Sequence, residues 1–388
     1  MSRRGRLKLL LVAFVLLAQG CKRELPAWMQ PGIREGAGIL HKSLYLSLDG
    51  VGEVTDIRFG DLRFEGKREV GIAGNYGARF FDAAKTPQGK VQFATRTPED
   101  FRVSACTVKR TATTSVLFYR HAGAAATYDS LVNSEGAELW RLPESVAGAA
   151  FGEVGARNAP EFFVTYQFGS AKGTVEARDV AGRILWRAPG LAPHNTAMAL
   201  VSGEEMEGAA IVLDGGNDIL KPVLIGLDLN GHTVFRNRAI ERIDDFTTVV
   251  WPPRCPSECL VASRDDGFRL VAADGRRRVA TLPGEYLGDV RAAAVRLSPD
   301  APAYLAIVGP LEYQGHAIVG FEAVHGALYV YDGSGRLTYH EVLPEPCEAV
   351  AAIPSDDGKA QALLVGGVDK VWEYTVAPHA GNSTTRSP

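Results

Sequence analysis

Carboxylates recur in the short polar stretches that separate the apolar runs of this chain. They are Glu99, Asp100, Glu144, Asp244, Asp245, Glu285, Asp289, Glu345 and Glu348, and a further stretch carries His194. Gathered at the mouth of a channel, such groups serve as general acid and base or hold a cation, which is lyase or hydrolase chemistry. The motifs that would make this reading specific are missing. The sequence contains no HExxH, no G-x-S-x-G elbow and no P-loop, and Gly50-Val51-Gly52 lacks a third glycine and a following helix. Asp214-Gly215-Gly216-Asn217-Asp218 and Asp265-Asp266 read as acidic turns in which the side chains bond their own backbone. Of the eight histidines, His194 and His316 are the two that fall on a common face. No catalytic set, metal site or cofactor is expected.

The cysteines carry a second chemistry. Cys255-Pro-Ser-Glu-Cys259 lies between two strand patterns, and its two thiols either close a small disulfide loop or stay free. Zinc would need a second pair of ligands, and no nearby Cys or His supplies one. Cys106 and Cys347 sit at or beside strand positions and read as small buried hydrophobes. The net charge of −3 argues against a nucleic-acid binder, which needs a basic face to displace counterions from phosphate.

The elements that must hold these residues are strands. Six segments read as an apolar strand, a turn around Gly and a second strand of aromatic and β-branched residues. The turn glycines are Gly89, Gly136, Gly182, Gly231, Gly275 and Gly335, at spacings of 47, 46, 49, 44 and 60. A unit of that length, with about four short strands, is the signature of a propeller blade. Each unit opens with an apolar strand: 55–62, 101–108, 149–154, 197–202, 246–251, 291–297 and 348–353. Unbroken apolar runs follow, such as REVGIAG and SVLFYR, as expected for strands buried on both faces. Asn230-Gly231 and Asp274-Gly275 suit two-residue hairpin turns. The fold class is therefore all-β: a single seven-bladed β-propeller over residues 41–376. The seventh unit has three strands, and residues 42–48 (KSLYLSL) are expected to supply the fourth by pairing with the strand of Trp372 and Tyr374. Residues 377–388 are small and polar and are expected to be disordered.

The N-terminus is an address. Arg3, Arg4, Arg6 and Lys8 precede the ten apolar residues 9–18, a stretch too short to span a bilayer and suited to a signal peptide over 1–20. Ala18-Gln19-Gly20-Cys21 resembles the lipoprotein box of bacteria, although Ala18 and Gln19 depart from its commonest form. The resemblance implies a lipid on Cys21, a tether over 21–40 and membrane attachment through the lipid. Lys22 in place of Asp favours the outer membrane, with the protein facing the periplasm or the cell surface. Two hairpins, Asp179-Val-Ala-Gly-Arg-Ile-Leu-Trp186 and Asp228-Leu-Asn-Gly-His-Thr-Val-Phe235, resemble the D-x-x-G-x-x-x-W repeat of quinoprotein-type propellers, a group that includes an outer-membrane assembly lipoprotein. The stretch from Gly60-Asp61 to Gly66-Lys67 resembles the FG-GAP repeats of integrin-like propellers. The quinone enzymes use adjacent cysteines, which this chain lacks, and Asp61 and Glu65 are too sparse for an FG-GAP calcium loop.

In a propeller the links between blades and the loops between second and third strands share one end. The long loop 311–325 (LEYQGHAIVGFEAVH) accounts for the spacing of 60. The expected binding face therefore combines His194, Asp244, Asp245 and Asp289 with Tyr313, His316 and Phe321 from this loop. The expected function is a lipid-anchored, monomeric envelope scaffold that binds a protein or small ligand. The alternatives are an accessory of outer-membrane protein assembly and an enzyme using the carboxylates.

Overall fold

Apolar runs of five to seven residues, bounded by Gly, Asp and Pro, become strands throughout the chain, and no α-helix is present among the described residues. The computed structural model describes residues 27–62, 66–92, 105–108, 116–122, 127–133, 135–142, 146–152, 162–167, 173–179, 181–191, 198–201, 209–214, 223–228, 230–240, 243, 246–316, 320–354 and 360–377. The chain opens with a 3-10 turn, Ala27–Met29, then β1 (Gly32–Glu35) and β2 (Leu40–Ser47). Sheet one is β3 (Val54–Gly60), β4 (Glu69–Gly74), β5 (Gly77–Asp82) and β6 (Pro87–Gln92). Sheet two is β7 (Ala105–Val108), β8 (Val116–Ala122), β9 (Thr127–Asn133) and β10 (Glu138–Leu142). Sheet three is β11 (Val146–Gly152), β12 (Phe162–Gln167), β13 (Gly173–Asp179) and β14 (Ile184–Leu191). Sheet four is β15 (Met198–Val201), β16 (Ala209–Asp214), β17 (Val223–Leu227) and β18 (Thr233–Arg238). Sheet five is β19 (Thr247–Trp251), β20 (Cys255–Arg264), β21 (Gly267–Ala272) and β22 (Arg278–Leu282). Sheet six is β23 (Arg291–Val295), β24 (Tyr304–His316), β25 (Gly320–Tyr331) and β26 (Leu337–Leu343), with β1 added outside β26. Sheet seven is β27 (Val350–Pro354), β28 (Gln361–Gly366) and β29 (Lys370–Val376), with β2 outside β29.

The first strands of most successive sheets neighbour one another. β3 lies beside β7, β11 beside β15, β15 beside β19, β19 beside β23 and β23 beside β27, and β27 lies beside β3. The β2–β29 register sets Lys42 opposite Tyr374 and Leu44 opposite Trp372, the pairing expected from the sequence. Apolar side chains fill the space between sheets. Val54, Ile57, Ile72, Leu364 and Val371 pack across sheets seven and one, and Trp251, Phe268, Leu305, Tyr329 and Tyr331 across five and six.

The repeated hairpin differs from the expected two-residue turn. In Asp228–His232 the Asp228 N–H donates to the His232 carbonyl, the Gly231 N–H donates to the Asp228 carbonyl, and the ladder slips between Gly226 and Leu227. The turn closes on a bulge, and its left-handed residue is the glycine, at φ +82°. Asp228 Oδ1 accepts the N–H groups of Asn230 and His232, and Asp179 and Asp332 act alike in their own hairpins. Sheet one corrects the expected repeat. Gly89 lies within β6, and the turn position falls on Lys85, at φ +63°. The tryptophan of the D-x-x-G-x-x-x-W repeat also gains a physical reason. A Cβ on Gly231 would lie 2.6 Å from Trp186, and one on Gly182 would lie 2.7 Å from Trp140. These two turn glycines are therefore the flat surfaces on which the last-strand tryptophan of the preceding sheet rests.

Residues 27–40, expected as a tether, are ordered. Met29 is fully buried in the core of sheets five and six, and β1 pairs with β26 with Gly32 opposite Val342. The sequence signal there was weak because β1 is short and covers an edge, leaving Ile33, Arg34 and Glu35 exposed.

Candidate functional site

The links and the turns between second and third strands meet at one end of the sheets. The Asn75 and Tyr76 N–H groups, at the β4–β5 turn, donate to the carbonyls of Glu53 and Val51 in the link from β2 to β3. The Gly288 N–H, in the link from sheet five to six, donates to the Pro310 carbonyl on β24. At the β28–β29 turn Asp369 takes φ +53°, and its Oδ1 accepts the N–H groups of Val51 at 2.9 Å and Gly52 at 2.7 Å. Its own N–H donates to the Gly52 carbonyl, and its carbonyl accepts from Leu48. A single carboxylate thus clasps the segment joining the N-terminal strand to sheet one.

The expected site residues divide. Cys21, His194, Asp244 and Asp245 lie outside the described residues, as do Glu99, Asp100 and Glu144. Asp289 is exposed at this end, at φ +29° in the link that follows β22. Tyr313, His316 and Phe321 lie on β24 and β25, at the same end. The segment 311–325, expected as a loop, continues both strands as a hairpin. Leu311 is opposite His325, Tyr313 opposite Glu322 and His316 opposite Gly320, with the register slipping on either side of Glu312 and Tyr313. Strand pairing satisfies the backbone of a long excursion that would otherwise depend on solvent.

The carboxylates of this end are less available than the sequence suggests. Glu345 accepts from Trp372 Nε1 and pairs with Lys370, both at 3.2 Å. Asp266 holds the Arg269 guanidinium through both oxygens at 2.7 and 2.8 Å, and this bond keeps its carboxyl below the ordinary range. Arg79 is buried beneath the junction, donating to the Asp49 carbonyl, with Asp49 and Asp369 offsetting the cost of its burial. No group of three or more metal-binding side chains gathers among the described residues. Cys255 and Cys259 form a disulfide, both on β20 opposite Trp251 and Val249 rather than in a loop between strands. Burial pushes the free Cys347 thiol up, which removes its nucleophilic form.

A polar cluster that sequence reasoning missed lies where the sheet five to six link crosses β26. His340 is 7% exposed and stacks on Tyr329 with ring centroids 4.1 Å apart. Its Nε2 faces Glu285 Oε2 across 3.8 Å, beyond hydrogen-bond reach, and neither atom has another hydrogen-bond partner. Burial holds the imidazole down to about 4, helped by the Arg34 guanidinium, and burial raises the Glu285 carboxyl. The only signal was the run Thr338-Tyr339-His340-Glu341 between apolar residues of one strand.

The pH consequence has a definite sign. The unfolded imidazole binds a proton below about 6.5. The folded one does so only near 4, so the unfolded state holds more protons between these values and stability falls as pH drops through them. The loss should be on the order of 2 kcal/mol, reduced because the Glu285 carboxylate favours the imidazolium while Arg34 opposes it. Urea midpoints measured from pH 7 to 4 should decline in the wild type and decline less in His340→Gln. Parallel curves would assign the acid sensitivity to other groups.

No family model matches the chain, and no curated protein matches it. Among solved structures the chain is similar to BBS1N crystallised in complex with ARL6DN. A lead-soaked crystal matches at TM-score 0.55 and 12% identity, over 88% of this chain and 97% of that one. A mercury-soaked crystal matches at TM-score 0.53 and 10% identity, over 90% and 98%. At these identities the likeness concerns the fold, which is all-β and propeller-like.

Proposed function

We propose that this chain is a lipid-anchored scaffold of the cell envelope, a single ring of seven blades closed by β2 that presents its link end to a protein partner. The ring reading is supported by β27 lying beside β3 and by the N-terminal strand completing the last sheet. The anchor reading is supported by the apolar stretch 9–18 that ends at Cys21. The observation that carries the binding role is the bracing of the link end. The Asp369 carboxylate and the main chain of Asn75, Tyr76 and Gly288 fix its segments to one another through hydrogen bonds, so it meets a partner with little ordering cost. BBS1N, of the same propeller-like fold, was crystallised with a protein, ARL6DN. Asp265 and Asp289 are exposed there and would favour a basic partner at low salt.

The test is photo-crosslinking in cells, with the crosslinking residue replacing Asp265, Asp289 or, at the opposite end, Arg277. One partner captured from both link-end positions and absent from Arg277 is the expected result. Capture from Arg277 alone would move the working surface to the other end. In parallel, Cys21→Ser should shift the protein from the membrane to the soluble fraction, and retention in the membrane would remove the lipid from the account.

A further inference from the structure

We infer that the scaffold stands with its link end toward the membrane, propped on the β24–β25 hairpin beside its own anchor, so that the partner surface looks into a narrow gap above the lipid headgroups. The inference rests on the anchor reading of Cys21.

Two independent features point the same way. The first is where the ordered chain begins. β1 runs antiparallel to β26, and its first residue, Gly32, lies opposite Val342, next to the link end of that strand. The segment before Gly32 is held there. The Arg34 guanidinium donates to the carbonyls of Ala27, at 2.9 Å, and Gln30, and Met29 is sunk in the core that contains Leu287 and Leu311. Six residue steps separate Cys21 from Ala27. At no more than about 3.5 Å each, a lipid on Cys21 lies within roughly 20 Å of this corner.

The second feature is the hairpin. Pro310 on β24 is level with the link, since its carbonyl accepts the Gly288 N–H, and the strand continues six residues farther to His316. At about 3.3 Å per residue the hairpin projects roughly 20 Å from the link end. The projection matches the greatest reach of the tether, and both start from the same corner. A body tethered there meets the bilayer with the hairpin first. The chemistry suits that contact. Trp28, 47% exposed beside the tether, is the residue type that settles at the headgroup level, and the hairpin carries Tyr313 and Phe321.

The experiment uses the full, lipidated chain reconstituted into phosphatidylethanolamine–phosphatidylglycerol vesicles. An environment-sensitive fluorophore is attached through Phe321→Cys on the hairpin and, separately, through Arg277→Cys at the opposite end. The label at 321 should shift to the blue and lose most of its emission to doxyl-labelled lipids, while the label at 277 keeps its aqueous emission. Brominated lipid should quench part of the native tryptophan emission, and Trp28→Phe should abolish that part, a readout that needs no change in the hairpin. If the protein floats with the vesicles but the 321 label stays aqueous and Trp28→Phe changes nothing, the orientation is wrong and the anchor stands. If the mass of the mature chain shows no lipid on Cys21 and the protein does not float, the anchor reading fails and the orientation with it.

Discussion

A chain that begins at Asp49 is expected not to reach its native state at 25 °C, whereas one that begins at Ala27 is expected to unfold at the same urea midpoint as the full chain. The segment between them contributes Met29, Leu40, Tyr45, Leu46 and Leu48, each less than 10% exposed. Burial of a large apolar side chain is worth about 1.5–3 kcal/mol, so the five together approach 10 kcal/mol, an upper figure because the unfolded chain buries some of that surface. The whole stability of a typical domain is about 5–15 kcal/mol. Removal would also expose the edges of β26 and β29, which β1 and β2 now cover. A chain beginning at Gly38 keeps β2 and loses β1 and Met29, and should fold with intermediate stability. Near-UV circular dichroism and urea titration rank the three. If the chain from Asp49 unfolds cooperatively at the full-length midpoint, the fold is held by other contacts and the N-terminal strands add nothing to it.

That dependence explains which parts of the architecture were legible in the sequence. β2 was legible because KSLYLSL has strand composition and sheet seven lacked a strand, so two independent facts met. The first strands of all seven sheets were legible to within a few residues, as apolar runs between turn signals. β1 was not, because it is four residues long and none of them is buried. The turn in sheet one was misplaced because glycine was taken as the marker, while Lys85 bears the left-handed conformation with Asp82 still accepting the Thr86 N–H. The marker that persists through most of these hairpins is the Asp or Asn that opens the turn, whose side chain satisfies the backbone whichever residue follows. The acidic face was legible as composition but not as chemistry. That Asp369 clasps a neighbouring segment depends on contacts more than three hundred residues away in the chain.

The same contrast marks a buried polar junction between sheets six and seven. Glu341 on β26 is 6% exposed, and its Oε1 pairs with Lys42 of β2 at 2.7 Å. Its Oε2 accepts the hydroxyls of Tyr339 at 2.8 Å and Tyr374 at 2.9 Å. Burial and the neighbouring carboxylate push both phenols far up, so they remain donors at any ordinary pH. Lys42 also lies 4.5 Å from the centre of the Trp372 ring. One carboxylate therefore joins sheet six to β2 and β29 of sheet seven. Glu341→Ala strands two buried hydroxyls and a half-buried ammonium, and should cost about 3–5 kcal/mol. Glu341→Gln keeps the shape and the acceptor for the two hydroxyls but loses the charge and turns an amide N–H toward the part-exposed Lys42 ammonium, so about 1–2 kcal/mol is expected. Combining Glu341→Leu with Tyr339→Phe and Tyr374→Phe should recover much of the loss, because the two fully buried hydroxyls are gone and only the part-exposed Lys42 ammonium loses its partner. The checking measurement is the urea midpoint of each variant at pH 7. If Glu341→Ala unfolds with the wild type, or if the triple variant is the least stable, the junction is held by apolar packing alone and the carboxylate has another use.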